Sequence, residues 1–273
     1  MATFVQLTGQ MLHRADIVGA STLRLLTEIR RSFGLVTHIL SAGLTSGWHR
    51  NPAIRNVIIR QIYFTGVQSL PWVFLIALGI GVLAVYNIVD FARSIQDMSL
   101  IGQLISDLLV LEVAPLVVTI LMLCRSGVAV VTELGTMHTR GEDLALKSMG
   151  INVQAYLLWP RLLAFTLCGL ILIFAFVFVS IWLGGLMVAL SSDIQFVDFL
   201  MEVRRGTSME EMALLIFKGL LYPVLIAVIL LNQGCKVGRE PNLIPVHATR
   251  GVLGSLIAVL MADALIALLG ELL

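Results

Sequence analysis

A chain of 273 residues, 58% hydrophobic and 13% charged, with a mean hydropathy of +0.97, carries more apolar surface than a soluble domain of that length can bury. Its formal net charge of +1 argues against a nucleic-acid binder, which would call for a basic groove or stripe and interleaved aromatics. The expectation is an all-α integral membrane protein whose function lies in the bilayer.

The first residues, "MATFVQLTGQMLHRADIVG", lack an apolar stretch behind a basic start and a small-residue cleavage site, so insertion is expected to rely on the first transmembrane helix. From Val18 through Leu25, Ile29, Phe33, Val36 and Leu40 apolar residues recur at helical spacing, with Arg24, Glu28 and Arg31 on the other side. This is the pattern of a helix lying on the membrane, its arginines near anionic head groups; a soluble helix packed on a partner is the alternative. "NPAIRNVIIRQIYFTGVQSLP" reads as a second helix leading into the bilayer, with Asn51 as its cap and Pro52 in the first helical position. Residues 1–66 are thus expected to form cytoplasmic and interfacial helices, with Arg24, Arg31 and Arg60 as interfacial cations.

About 20 apolar residues cross a hydrocarbon core of roughly 30 Å. That window gives five spans within 67–273: Pro71 to Val89, about Leu108 to Val131, Leu162 to Leu190, about Met212 to Leu231, and Gly251 to Gly270. The third exceeds what a perpendicular span needs, so it is expected to tilt, or to bend near Gly184 and Gly185. Glu112 and Arg125 fall in the second span, Lys218 in the fourth and Asp263 in the fifth. A charge at mid-bilayer costs roughly 2.5 to 3.5 kcal/mol, so each must line an interior or find a partner. If the second span starts outside near Ile101 and the fourth near Glu210, Glu112 lies about 16 Å down and Lys218 about 12 Å down, and the two can meet. Arg125, about 20 Å beyond Glu112, is expected near the inner interface, snorkelling or binding a carboxylate. Asp263 is expected to face a neighbouring helix or polar groove.

With the N-terminus inside, cytoplasmic parts hold thirteen Lys and Arg and outer loops three, which favours an N-in, C-out topology. The polar stretch "ELGTMHTRGEDLALKSMG", 133–150, is then cytoplasmic. Gly141 and Gly150 bracket a helix of two turns in which Asp143 and Lys147 stand four apart and can pair, while Leu144, Ser148 and Met149 fall on a different side from Glu142. Such an element suits docking of another protein; an ordinary solvated loop is the alternative. No GxxxxGK[ST], HExxH or GxSxG occurs, so no catalytic residue and no bound cofactor is expected in this chain. Cys124, Cys168 and Cys235 have no CxxC spacing and read as packing residues rather than a metal site. Five spans without an internal repeat also argue against a secondary transporter built from inverted halves.

Several segments resemble a known family. "RSGVAVVTELGTM", then "ALKSMG", then "YLLWPRLLA" resemble the signature of the MlaE/YrbE family, permease subunits of ATP-binding cassette (ABC) transporters that work with MCE proteins. The matching residues are Arg125, Gly127, Ala129, Glu133, Gly135, Met137, Ala145, Leu146, Met149, Gly150, Pro160 and Arg161. "RQIYFTGVQSLP" and "HATRGVLGS" resemble the family's entries to its first and last spans. Gly141, Leu144, Lys147 and Val153 depart from the family pattern of Glu, Asp, an acid and Pro; here the acids stand at Glu142 and Asp143. "GREPNLIPVH" is unlike the family's glycine-rich link, and its conformation is unassigned.

The resemblance implies a homodimer in the bacterial inner membrane, with ATPase subunits that use ATP and Mg docked on a coupling segment at 133–150. Glu133, Gly135, Met137, Glu142, Asp143, Met149 and Gly150 would serve that contact, and Arg125 and Arg161 would be structural. It also implies a periplasmic MCE-domain protein, leaves room for a small cytoplasmic accessory protein, and makes the cargo a phospholipid or similar lipid. In that frame Glu112 and Lys218, with Leu111 where family members often carry Arg, border a lipid cavity at the dimer interface that opens outward. A structural ion pair locking the second and fourth spans is the alternative. A lining rich in Phe165, Phe174, Phe176 and Phe178 suits acyl chains better than a hydrophilic solute. The rival to a transporter is a membrane scaffold that recruits a cytoplasmic partner through 133–150.

Overall fold

A computed structural model describes residues 34, 37–41, 43, 52–95, 100–192 and 194–272. Among them every regular element is helical, and five helical runs are long and apolar enough to cross a membrane: Pro52–Ser94, Leu100–Thr139, Gln154–Ser191, Met209–Lys236 and Pro241–Gly270. The count is that expected from the sequence. Each run extends beyond its apolar window, because helical hydrogen bonding continues through amphipathic flanks that hydropathy excludes. The surface helix expected over Val18 to Leu40, with Arg24 and Arg31, lies outside the described residues apart from Gly34 and Thr37 to Leu40, which are helical. Asn51 also lies outside them.

The fourth span is the centre of the fold. It packs against the second, third and fifth spans, and the third holds the first on its other side. Lys218, Tyr222, Ile226 and Leu230, one helical turn apart, form a wholly buried ridge along it. Its start is fixed by a capping box: Ser208 Oγ accepts from the Glu211 amide at 3.2 Å, and Glu211 Oε2 accepts from the Ser208 amide at 3.1 Å. The fifth span turns Leu253, Ile257, Leu260 and Leu268 outward. Against lipid tails an outward leucine carries no penalty, since the tails are as apolar as the protein core.

The third span is one α-helix from Trp159 to Ser191 and runs unbroken through Gly184 and Gly185. The bend expected there is therefore not a break in the helix. A Cβ on Gly184 would press on Val85 of the first span, and one on Gly185 on Phe199. The glycines serve close approach. Phe199 belongs to a helix the sequence reading lacks, Phe196–Gly206, which buries Phe199 and Val203 and turns its charges outward. Eleven residues of mixed polarity are invisible to a window that looks for spans.

Proline and π geometry interrupt the spans at defined places. Pro71 has no N–H to give the Val67 carbonyl; the Leu70 amide bonds it instead, and the chain takes a tight 3-10 turn at Val67–Ser69. The "GREPNLIPVH" link likewise forms a 3-10 turn, Pro241–Leu243, opening directly into the last helix. Among the described residues four stretches widen to π geometry, Ala77–Gly81, Ile105–Val113, Leu123–Gly127 and Gln154–Leu158. Such widenings concentrate at functional sites, and two of them carry Glu112 and Arg125.

Gly184→Val should overpack the contact with Val85 and destabilise the fold by about 1–3 kcal/mol. Gly79→Val, at a position with open space around it, serves as the control. Thermal unfolding of the two purified variants checks this: equal melting temperatures would show that the first and third spans are not held at this separation.

Candidate functional site

Pro115 lies one turn beyond Leu111, at the position whose amide would bond the Leu111 carbonyl in an α-helix. Proline has no amide hydrogen. That carbonyl, in the π stretch Ile105–Val113, thus lacks its α-helical donor, and the ammonium of Lys218 donates to it at 3.0 Å. Lys218 also donates to Glu112 Oε1 and to Asp263 Oδ1, both at 2.8 Å. An ammonium has three hydrogens to give, and all three are used. Tyr222, the next turn of the buried ridge, donates its hydroxyl to the same Asp263 oxygen. Lys218 is 1% exposed, whereas 38% of the Glu112 side chain is open. The cluster thus locks the second, fourth and fifth spans through Lys218 and presents Glu112 to its surroundings.

Glu112 and Lys218, expected at similar depth, are in contact. Leu111 takes part through its backbone, with its side chain buried. Asp263 and Tyr222 were missed as members of the cluster, although the sequence carries a signal for each. Tyr222 is four residues after Lys218 and so shares its helix face. Lys218 lies 18 residues before Lys236, the end of its helix, and Asp263 lies 19 after Ile244, the start of the next. At 1.5 Å per residue both are about 27–29 Å from the connecting turn, hence at one depth.

Arg125 sits in the π stretch Leu123–Gly127. It donates to the Phe64 carbonyl at 2.7 Å, to Ser69 Oγ at 2.6 Å and to Gln68 Oε1 at 2.9 Å, and lies 5.2 Å over the Phe64 ring. Its partners are a carbonyl, a hydroxyl, an amide and an aromatic face, not the carboxylate that was one expectation. They straddle the 3-10 joint, where the chain leaves the helix Pro52–Thr65 and enters Leu70–Ile76. Arg125 therefore pins the joint of the first span. Arg60 is exposed on the helix before it.

The segment 133–150 is tied down at its base. Glu133 pairs with Arg161 Nη2 at 2.7 Å, and the buried Arg161 also donates to the Leu157 carbonyl at 2.8 Å, so the second and third spans are linked there. Gly135 is packed against Val237 and Ile244, and Met137 is half-buried. The helix Glu142–Ser148 starts and stops where the two glycines stand: Gly141 and Gly150 have φ of 72° and 74°, left-handed values that favour glycine. Ile151 bonds back to the Leu146 carbonyl and Gly150 to that of Lys147, each at 3.0 Å, which is the Schellman closure. Of the two acids, Asp143 turns inward, 3.2 Å from His138 Nδ1 and 3.4 Å from Lys147. Glu142, Leu144 and Met149 face out.

Comparison with known proteins gives consistent results. A family model described as Permease MlaE matches residues 58–269, most of the chain. The chain is 31% identical over 139 residues to the intermembrane phospholipid transport system permease protein MlaE of Haemophilus influenzae, covering 50% of this chain and 53% of that protein. It is 27% identical over 159 residues to a probable ABC transporter permease protein of Rickettsia bellii, covering 56% and 58%. A probable ABC transporter permease protein of Synechocystis is 26% identical over 215 residues, covering 77% and 80%. The matches to the first two of these span just over half the length of each relative.

Lys218→Ala should leave two carboxylates facing each other without their cation, at a cost of about 3–5 kcal/mol. Glu112→Gln keeps an oxygen for Lys218 and should stay folded. The fraction of each variant that remains monodisperse after heating in detergent reads the difference; a Lys218→Ala protein as stable as the parent would remove the cluster's structural role.

Proposed function

Because the chain belongs to the MlaE permease family, we propose that it is the membrane-spanning subunit of an ABC transporter that moves phospholipid, or a lipid of similar hydrophobicity, between the bacterial inner membrane and a periplasmic MCE protein. The observation that carries this reading is the family match over 58–269, joined to a charged cluster that stays open at Glu112 within otherwise apolar spans. The named phospholipid transport permease among the relatives supports the cargo. In this reading the chain is a homodimer with its N-terminus inside and its C-terminus outside, and a cavity shared by two copies takes the lipid beside Glu112.

ATP and Mg are used by a partner subunit. That subunit docks on 133–150, where exposed Leu144 and Met149 offer apolar contact beside Glu142. Closing of its nucleotide sites would move the helix Glu142–Ser148. The Glu133–Arg161 bridge would carry that motion into the second and third spans together, and Arg125 would pass it to the joint of the first. Glu112 rides on the same second span, so the cavity is reshaped as the segment moves.

Native mass spectrometry of the complex, gently solubilised from its host's membranes, tests the proposal. Two copies of this chain with two ATPase subunits, an MCE oligomer and bound lipid is the expected result. This chain alone, or with a partner lacking a nucleotide site, would sink it and favour the scaffold.

A further inference from the structure

The charges at Lys218 do not cancel. Glu112 and Asp263 each bring a carboxylate within 2.8 Å of a single ammonium, so with all three groups ionised the cluster carries one negative charge too many. Lys218 cannot compensate further, since its third hydrogen goes to a neutral carbonyl. Tyr222 adds a hydrogen bond but no charge. An uncompensated charge in a low-dielectric span is costly, and the side chain with room for another partner is Glu112, 38% exposed.

The surroundings have the same sign. Toward the Ile101 end of the second span the other ionisable residue is Asp107, exposed, and the facing first turn of the fourth span holds Glu210 and Glu211. On the second, fourth and fifth spans this end therefore sets five carboxylates, Asp107, Glu112, Glu210, Glu211 and Asp263, against Lys218. The helix Phe196–Gly206 packs on this end of the second span and brings Arg204 and Arg205 together with Asp198 and Glu202, and the first span brings Arg93 together with Asp90, so these neighbours leave the excess of carboxylates unchanged. A headgroup of net negative charge would be repelled along this path, whereas a net-neutral one whose outermost group is an ammonium would not.

We propose that the lipid taken at this site carries a cationic amine in its headgroup, and that its ammonium docks on the open face of Glu112 to supply the missing positive charge. This rests on the transport reading above and adds the headgroup class. The apolar side chains around Glu112, among them exposed Leu108, suit the lipid's tails.

The test uses the purified complex equilibrated with equal amounts of phosphatidylethanolamine and phosphatidylglycerol, with bound lipid read by native mass spectrometry. One charge-assisted contact should favour the amine-bearing lipid by about tenfold, and Glu112→Gln should bring the two lipids to near parity in a complex that still assembles. N-acetylated phosphatidylethanolamine, which keeps the tails and phosphate but loses the ammonium, should bind no better than phosphatidylglycerol to the parent complex; this arm decides alone if the variant does not assemble. Equal binding of the lipids, preference for the anionic one, or a preference that survives Glu112→Gln overturns the proposal. So does displacement of the lipid by an equal concentration of free ethanolamine, which would mark a site for small amines. Retention that follows pH without headgroup preference would assign the missing charge to a proton, and also overturns it. A complex that holds lipid without preference fails this inference alone, whereas one that neither holds nor transfers lipid fails the transport reading as well.

Discussion

An ammonium surrounded by hydrocarbon has three hydrogens and no water to take them, so the protein must supply three acceptors. Lys218 obtains two from the second span, the Leu111 carbonyl and Glu112, and one from the fifth, Asp263. This requirement fixes the rotation and depth of both spans against the fourth. Two irregularities stand beside Lys218: Pro115 removes the α-helical donor of the Leu111 carbonyl, and Leu111 lies in the π stretch Ile105–Val113. The central position of the fourth span, with a buried ridge running through Lys218 and Tyr222 to Leu230, follows from the same constraint.

The second span connects the distant features of the molecule. It carries Glu112, then Arg125, then Glu133, over 21 residues or about 32 Å of helix. Each is fastened to a different neighbour: Glu112 to the fourth span, Arg125 to the joint of the first, Glu133 to Arg161 of the third. A helix held at three heights by three partners is suited to relaying a displacement, because a shift at its polar end cannot be absorbed locally without breaking a buried ionic or charge-assisted contact. The fasteners differ in kind. The bonds at Lys218 are deeply buried, Arg125 relies on neutral acceptors and a ring face, and Glu133 is half open to its surroundings.

Patterns local in the chain are legible in the sequence. Five apolar runs, the helix between Gly141 and Gly150 and its Asp143–Lys147 pair all depend on residues a few positions apart, and a helix turns such spacing directly into contact. The contact of Glu112 with Lys218 needed only rise per residue and a shared starting plane. Features set by relations between spans were not readable in that way. The close contact of Gly184 with Val85 is one such feature, because it depends on Val85 standing opposite. Asp143, readable as the partner of Lys147, also faces His138, which the spacing did not show. The helix Phe196–Gly206 has too little apolar length to stand out and is recognisable by what Phe199 packs against.

The sequence by itself determined that this chain is a bundle of five membrane-crossing helices with a polar segment between the second and third, because hydrocarbon admits only stretches that satisfy their own backbone and bury few charges. It also limited the ionisable residues within the spans to a few that must find partners. Which partners they found was decided by the tertiary structure alone. Asp263 could have faced any polar neighbour, and Arg125 any carboxylate. The rotation of each helix about its axis brought the first to Lys218 and Tyr222 and the second to Phe64, Gln68 and Ser69, and that rotation is set by packing among residues far apart in the chain.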